Sequence, residues 1–564
     1  MTIPDAMTGR APRLPAVVAA QTILAAGLLA WSVSGSRWGA VALVVAGCLI
    51  APVAGRRHGD AGRWYGRLRF AWTRSRRRVD GLAPPPFDIP IDTGSGRRTG
   101  PHVAADPDSI GARWAGDTLI TVIRVAPGSS TLTWLTPESA SVADPSGQFI
   151  PLHALADSLC SFEIRLASID VIGHGIRTWG TDRIAQIYHR TLGPLAATAH
   201  RTVLVVIRLN PSDCPDAIRR RGGGAVGAMR TATVATRRVA ARLAAGGLKV
   251  SMLSAAEIAA CTELLADGVR ISDMAEHRES VDHRHLRFRS AMIDPTSIVP
   301  ILDTVWANAA VSTTITLRLR ADPDGTPVVG GLVRFAELPS AGRTVDAWPA
   351  GLTGLPDHQF DALAAGLPIG AAGDLDRRLL VSRGTDADAL LHTLRFPAGG
   401  CGQLVGADRV GRAVAVPLFA PAVESVTIVA GRHLLGQVLL RAIAVGASVT
   451  VHTVSPARWH RLVESVGDPS RLGLHPDRAP THGHRVAVYD GLTAPPPLPG
   501  TTHVIVVDPD DADPDDTPVD HVAPGALVLR EIPGVPQEIR VITADTTITV
   551  TVVATAAEWA LTAT

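Results

Sequence analysis

Two clusters in the last third of the chain have the residue types to bind a nucleotide. Ala430-Gly431-Arg432-His433-Leu434-Leu435-Gly436 follows an apolar, strand-like run and opens a helical one, the place of a phosphate-binding turn in a dinucleotide-binding domain. Only Gly431 and Gly436 supply small residues. Arg432 and His433 fill the turn that pyrophosphate must approach, although both could neutralise it, and Thr453 and Ser455 stand where a ribose-binding carboxylate would end the next strand. Asp508-Pro509-Asp510-Asp511 follows another apolar run. Carboxylates at a strand end can hold a divalent cation on a nucleotide-sugar, since hard cations prefer oxygen. Asp513, Asp515, Asp516 and Asp520 continue the run, and an Asp/Pro stretch is equally what a solvated loop looks like. Gly431, Gly436, Asp508 and Asp510 are therefore candidate cofactor residues, set against a purely structural turn and loop.

Other chemistries are less complete. His277, His283 and His285, with Glu276 and Glu279, have a zinc-like composition but no nearby thiol, and His475, His482 and His484 sit in a Pro/Gly loop. Asp170 and His174 could serve a hydrolase, but no GxSxG elbow supplies a nucleophile. Lysine occurs once, at Lys249 in Gly246-Gly247-Leu248-Lys249, without the leading glycine of a Walker loop, which argues against a P-loop ATPase. Arg219, Arg220, Arg221, Arg230, Arg237, Arg238 and Arg242 form a cationic stretch. Aromatics are only 4% of the chain, too few for the stacking platforms of single-stranded nucleic acid, so an acidic protein surface or solvent is the better match. Cys48, Cys160, Cys214, Cys261 and Cys401 are odd in number, dispersed and without a CxxC pair, as reduced thiols in a cytoplasmic protein would be. No catalytic residue, metal or cofactor is assigned on these grounds.

The chain has 564 residues, 46% hydrophobic and 19% charged, with net charge +2. That is globular, and not a general polyanion binder. Residues 14–33 and 38–55 are apolar runs separated by Ser34-Gly35-Ser36-Arg37, each near the roughly 20 residues that span a bilayer as a helix. They predict an N-terminal two-helix transmembrane hairpin; a cleaved signal peptide is the competing reading of the first run. Arginines at 10 and 13 and again from 56 to 78, against Arg37 alone between the runs, place both termini and the downstream region in the cytoplasm of an inner-membrane, multi-pass protein. Arg63, Trp64, Arg67, Leu68, Trp72 and Arg74 recur at helical spacing and predict a membrane-interface helix contacting lipid, or a helix packed on a neighbouring subunit. Organisation follows as a cytoplasmic N-terminus (1–13), the hairpin (14–55), a basic juxtamembrane helix (56–80), a linker (81–105), a cytoplasmic α/β (α+β) domain (106–338), a linker (339–373), and a second, Rossmann-like α/β domain (374–564) built on the strand-helix-strand pattern around residues 425–453.

Several of these runs resemble the EccE family of the type VII (ESX) secretion systems of mycobacteria and related actinobacteria. They are the Arg/Trp-rich stretch after the apolar runs, Ile110-Gly111-Ala112-Arg113-Trp114, and the passage through Phe162-Glu163-Ile164-Arg165 to Gly173-His174-Gly175. Arg201-Thr202-Val203-Leu204-Val205-Val206-Ile207-Arg208-Leu209, the helical run 237–243 and Gly399-Gly400-Cys401-Gly402-Gln403 extend it. The resemblance implies a non-catalytic scaffold subunit in several copies beside EccB, EccC and EccD, with the motor in EccC and no family active site to transfer. The rival, from a different class, is a membrane-tethered enzyme using a nucleotide or nucleotide-sugar, with the DxD look of a glycosyltransferase.

Overall fold

The computed structural model describes residues 84–90, 109–338 and 348–562, apart from short gaps at 130, 138–139, 143–144, 146, 181, 309, 371–372, 420–422, 475–483, 497–499, 510–521, 524 and 536. The expected fold class needs correcting. Among the described residues no helix is long and apolar enough to cross a membrane. The runs 14–33 and 38–55, and the interface residues Arg63, Trp64, Arg67, Leu68, Trp72 and Arg74, lie outside the described residues. What is described is dominated by two large β-sheets.

The first sheet is antiparallel throughout its core. Its principal strands are β1 (Ser109–Ala115), β2 (Thr118–Ala126), β4 (Ser168–Ile176), β5 (His200–Leu209), β7 (Leu286–Ile293), β8 (Ser312–Ala321) and β9 (Pro327–Glu337), with β3 (Thr133–Leu135) leaving for the second sheet and β6 (Lys249–Met252) added beside β2. In space the order is β1-β2-β5-β4-β8-β9-β7. The apolar run from Val203 to Ile207 does not alternate with polar residues because both faces are covered. Val203, Val205 and Ile207 join the cluster under helix α3 (Gly224–Ala245), whereas Leu204 and Val206 join the one under α4 (Ala255–Leu265) and α5 (Gln359–Ala365). Helices α1 (Leu152–Ala156) and α6 (Gly384–Thr393) lie on the α3 face, and α2 (Arg183–Leu192) packs toward the second sheet.

Gly173 and Gly175 flank His174 on β4 because of what presses on that face. A Cβ at Gly173 would lie 2.8 Å from the Phe396 ring, and one at Gly175 would lie 2.5 Å from the Trp306 ring. His174 points to the other side.

The second sheet is mixed. Its strands are β10 (Gln403–Ala407), β11 (Ala413–Val416), β12 (Ser425–Val429), β13 (Ser448–Thr453), β14 (Leu472–Leu474), β15 (Arg485–Asp490), β16 (Thr501–Val507), β17 (Ala526–Glu531), β18 (Glu538–Ile542) and β19 (Thr547–Val552). The order is β14-β13-β15-β16-β12-β17-β18-β19-β10-β11-β3, parallel from β14 to β17 and antiparallel beyond. Helix α7 (Arg432–Ala444) follows β12, α8 (His460–Val466) follows β13, and α9 (Ala556–Thr562) ends the described chain.

This order also corrects the Rossmann-like expectation. A dinucleotide fold sets its first strand beside its second; here β15 and β16 lie between β12 and β13. The strand-helix-strand pattern is real, but α7 crosses over two intervening strands, and periodicity along the chain does not report which strands become neighbours.

Candidate functional site

The turn at Gly431 is formed and closed. Gly431 caps α7 in an extended conformation, and its N–H donates to Glu531 Oε2 at 2.8 Å. A carboxylate from the end of β17 thus takes the anion position at the helix N-terminus. His433 stacks on Trp559 of α9, ring centroids 3.4 Å apart. Gln437 Nε2 donates to His433 Nε2 at 3.0 Å, which leaves the proton on Nδ1, 2.7 Å from Thr562 Oγ1; that hydroxyl in turn donates to Glu558 O. Burial holds His433 below its usual pKa, in keeping with a neutral ring. Gly436 serves packing: a Cβ there would sit 3.1 Å from Thr562 Cγ2, so its smallness lets α9 approach α7. Arg441 clamps the same helices through Glu558, Nε to Oε1 2.6 Å, both side chains buried. A pocket of about 320 Å³ remains beside Arg432, Arg458 and Arg461.

Asp508 directly follows β16, whose last residue Val507 pairs with Val429 before the turn, while Asp510 lies outside the described residues. Sequence reasoning missed Asp490, which stands at the end of β15. Its carboxylate accepts from Trp459 Nε1 at 2.8 Å, Thr453 Oγ1 at 2.9 Å and Arg458 at 3.1 Å. The sequence points to acids after β13 or β16; Glu531 and Asp490 close β17 and β15, which the chain order did not point to.

The proposed zinc histidines are also apart. His283 and His285 are 6.4 Å between centroids, edge to face, and His277 is half-exposed, 3.9 Å from Asp282. Glu276 caps α5 by accepting from the Phe360 N–H at 3.0 Å. In the arginine stretch, Arg221 pairs with Glu163, Arg242 donates to Ala154 O and Ser158 Oγ, and Arg238 lies over the Phe162 ring at 5.2 Å. These side chains are thus engaged in structure.

Asp170 and His174 belong to a buried polar stripe. Arg318 on β8 faces Asp170 across the ladder and donates from Nε at 2.9 Å, while Arg208 on β5 donates at 2.8 Å. Burial alone would raise the Asp170 carboxyl, but the two guanidiniums bring it to about 2. Four residues along, His174 Nδ1 lies 2.9 Å from Thr314 Oγ1 and its Nε2 3.7 Å from Asp267. This is triad-like in composition only. Thr314 is 2% exposed and also accepts from Arg334, so no substrate reaches it.

A larger cavity, about 1040 Å³, opens between the sheets, where the runs 201–209 and 399–403 meet. Arg201 stacks on Trp306 at 4.0 Å and donates to Gly399 O and Thr198 Oγ1. The glycines permit a backbone crossing: a Cβ on Gly400 would lie 2.4 Å from Ala199 O, and one on Gly402 (φ +80°) 2.1 Å from Val416 O. Cys401 donates to Thr198 O at 3.2 Å, and burial pushes its thiol pKa up, the reverse of an activated nucleophile. Gln403, 3% exposed, finds no protein hydrogen-bond partner for either amide atom, nor does Trp306 Nε1. The cleft is cationic, with Arg124, Lys249 and Arg395 on its walls.

Residues 197–291, which run from β5 through α3 and α4 into β7 and include the Arg201 and Lys249 walls of this cleft, match the family described as "Putative type VII ESX secretion system translocon, EccE". ESX-1 secretion system protein EccE1 of Mycobacterium tuberculosis is 26% identical over 422 residues, 73% of this chain and 77% of the relative. The protein of that name from Mycolicibacterium smegmatis is 27% identical over 321 residues, 55% of this chain and 61% of the relative.

Over residues 197–291 the chain is thus similar to the EccE family, and over most of its length it is similar to EccE1 proteins. The likeness to the Mycobacterium tuberculosis protein extends over 422 residues, whereas the match to the family model is confined to residues 197–291 of the first sheet and its helices. The Gly399–Gln403 crossing that ties the sheets together lies beyond residues 197–291, contributed by the second half of the chain.

Proposed function

We propose that this chain is a non-catalytic structural subunit of the membrane-associated type VII secretion complex, stabilising its assembly with EccB, EccC and EccD. The observation that carries the reading is the closure of the nucleotide-like turn by Glu531 and α9. Among the described residues, Glu531, Asp490, His433 and Cys401 are engaged in structure, while the open cleft offers cations and unpaired polar groups but no activated nucleophile. Such a surface suits a protein partner, since a buried amide left without a partner costs about 1–3 kcal/mol until something meets it. Mild-detergent purification of the complex from native membranes should recover EccB, EccC and EccD with this chain. Thermal-shift titration of the purified chain with NAD, ATP and UDP-sugars plus Mg²⁺ or Mn²⁺ should give no saturable stabilisation. A stabilisation that vanishes in Arg432→Ala or Asp508→Asn would instead establish the nucleotide-dependent enzyme.

A further inference from the structure

Helices α1 and α6 bring together three metal-ligating side chains that are far apart in sequence. His153 lies on α1, and Asp388 and His392 lie one turn apart on α6. A ligand atom from each falls within 4.8 Å of the other two. The His153 and His392 rings are 4.1 Å between centroids, and His153 Nε2 is 4.0 Å from Asp388 Oδ1. The other nitrogen of His153, Nδ1, is 3.5 Å from Asp157 Oδ2, one turn on.

We propose that His153, His392 and Asp388 form a binding site for a first-row divalent transition ion, Zn²⁺ foremost. Two imidazoles and one carboxylate are the donor set that suits Zn²⁺, Co²⁺, Ni²⁺ or Fe²⁺, and not the all-oxygen preference of Ca²⁺ or Mg²⁺. With His153 coordinating through Nε2, its Nδ1–H donates to Asp157. That is the carboxylate–histidine–metal relay which fixes tautomer and ring orientation. Neighbouring ligand atoms in a tetrahedron of 2.0–2.1 Å bonds are about 3.3 Å apart. Exposed side chains on two short helices cover the remaining difference by rotamer adjustment, and water completes the coordination sphere.

The backbone supports the placement. Arg242 of α3 donates to Ala154 O and Ser158 Oγ, anchoring the end of α1, while Ala387 and Leu391 bury the opposite face of α6. The ion would clamp a segment preceding β4 to one following β9, so it acts on the packing of the first sheet's α3 face. A structural clamp is the expected role, because neither of the two cavities described above is lined by these residues.

The test uses the full chain, purified without a histidine tag and stripped with chelator. Zn²⁺ titration by calorimetry should show one saturable equivalent and raise the Tm, and Co²⁺ should give a visible d–d spectrum reporting nitrogen and oxygen ligation. His153→Ala and His392→Ala should each weaken Zn²⁺ binding by about 100-fold or more, and Asp157→Asn by about 10-fold, in the range seen when an outer-shell carboxylate is removed. The metal-free Tm of each variant checks folding; Asp388→Asn provides a further variant that leaves both helices' shape unchanged. Absence of saturable Zn²⁺ binding overturns the proposal. So does one equivalent bound with equal affinity by wild type, His153→Ala and His392→Ala, which would move the ion elsewhere, for instance to the His277 region.

Discussion

The two sheets bury charge in opposite ways. In the first, arginines on the strands reach across the face to helix ends: Arg334 donates to Leu265 O at the end of α4 and, at 3.5 Å, to Leu363 O in α5, while Arg208 and Arg113 bond the carbonyls of 367–370. Cations there meet the negative ends of helix dipoles and carbonyls that have no partner within the helix. In the second sheet the charges pair locally around α7, with Glu531 from the end of β17 on its N-terminus and Arg441 held by Glu558 of α9. The first arrangement is spread over strands β1, β4, β5, β8 and β9 and cannot be loosened piecemeal. The second is local, and it occupies the one place where a parallel sheet would ordinarily offer a ligand site.

The comparison can be broken most directly at its two central carboxylates. Asp170→Asn leaves two buried guanidiniums, Arg208 and Arg318, without their shared counter-ion and should cost about 3–5 kcal/mol in urea unfolding. Glu558→Gln should cost less, about 3 kcal/mol at most, because it deprives one guanidinium where Asp170→Asn deprives two, and Arg441 keeps carbonyl acceptors on Leu404, Val405 and Val553. A larger loss at Glu558 would reverse the contrast between distributed and local networks.

A second test uses pH. Burial, aided by the Arg334 charge, lowers His174 from 6.5 to about 3. Unfolded chains therefore take up a proton that the native ring refuses, and this group removes stability as pH falls below 6.5. Asp267 acts oppositely: burial raises it from 3.8 to about 6, against the pull of Arg334 and Ser312. The native state then keeps a proton that the unfolded chain has released, and stability rises as pH falls through that interval. Between these limits the two slopes oppose. Asp267→Asn should expose the His174 slope, a loss approaching about 1.4 kcal/mol per pH unit, and His174→Gln should expose a gain on acidification. Urea midpoints at about pH 7, 6, 5 and 4 measure both; parallel profiles in the two variants would refute the assignment.

The smallest expected effect is at Gly436. Gly436→Ala adds a methyl 3.1 Å from Thr562, and the helix-propensity gain of about 0.5–1 kcal/mol offsets that contact. Thermal unfolding should shift little. A large loss would mean that α9 cannot yield, and that the plug on α7 is more rigid than its short helix suggests.

Some of this was legible in the sequence. The runs 202–209 and 425–429 read as strands, the glycines at 246 and 247 as the end of α3, and the lone Lys249 argued against a phosphate-binding lysine loop. The resemblance carried by Gly173-His174-Gly175 and Gly399–Gln403 was likewise present in residue types alone. Their meaning was not. Both sets of glycines answer to distant groups, Phe396 and Trp306 in one case and the Ala199 and Val416 carbonyls in the other, and nothing local to either run announces such a neighbour.

Tertiary structure alone decided the order of the parallel strands, and with it whether the strand-helix-strand signal meant a nucleotide fold. It also decided that Glu531 reaches Gly431 across a separation of 100 residues, and that His153 meets His392. Hydrophobic period fixes which residues turn inward, because burial acts on each element separately. Which inward faces and which chain ends become neighbours depends on how elements pack, and for charged or metal-ligating groups on small energies summed over contacts distant in sequence. That is why the strands of this chain could be read from its residues, while its closed turn and its metal-ligating cluster could not.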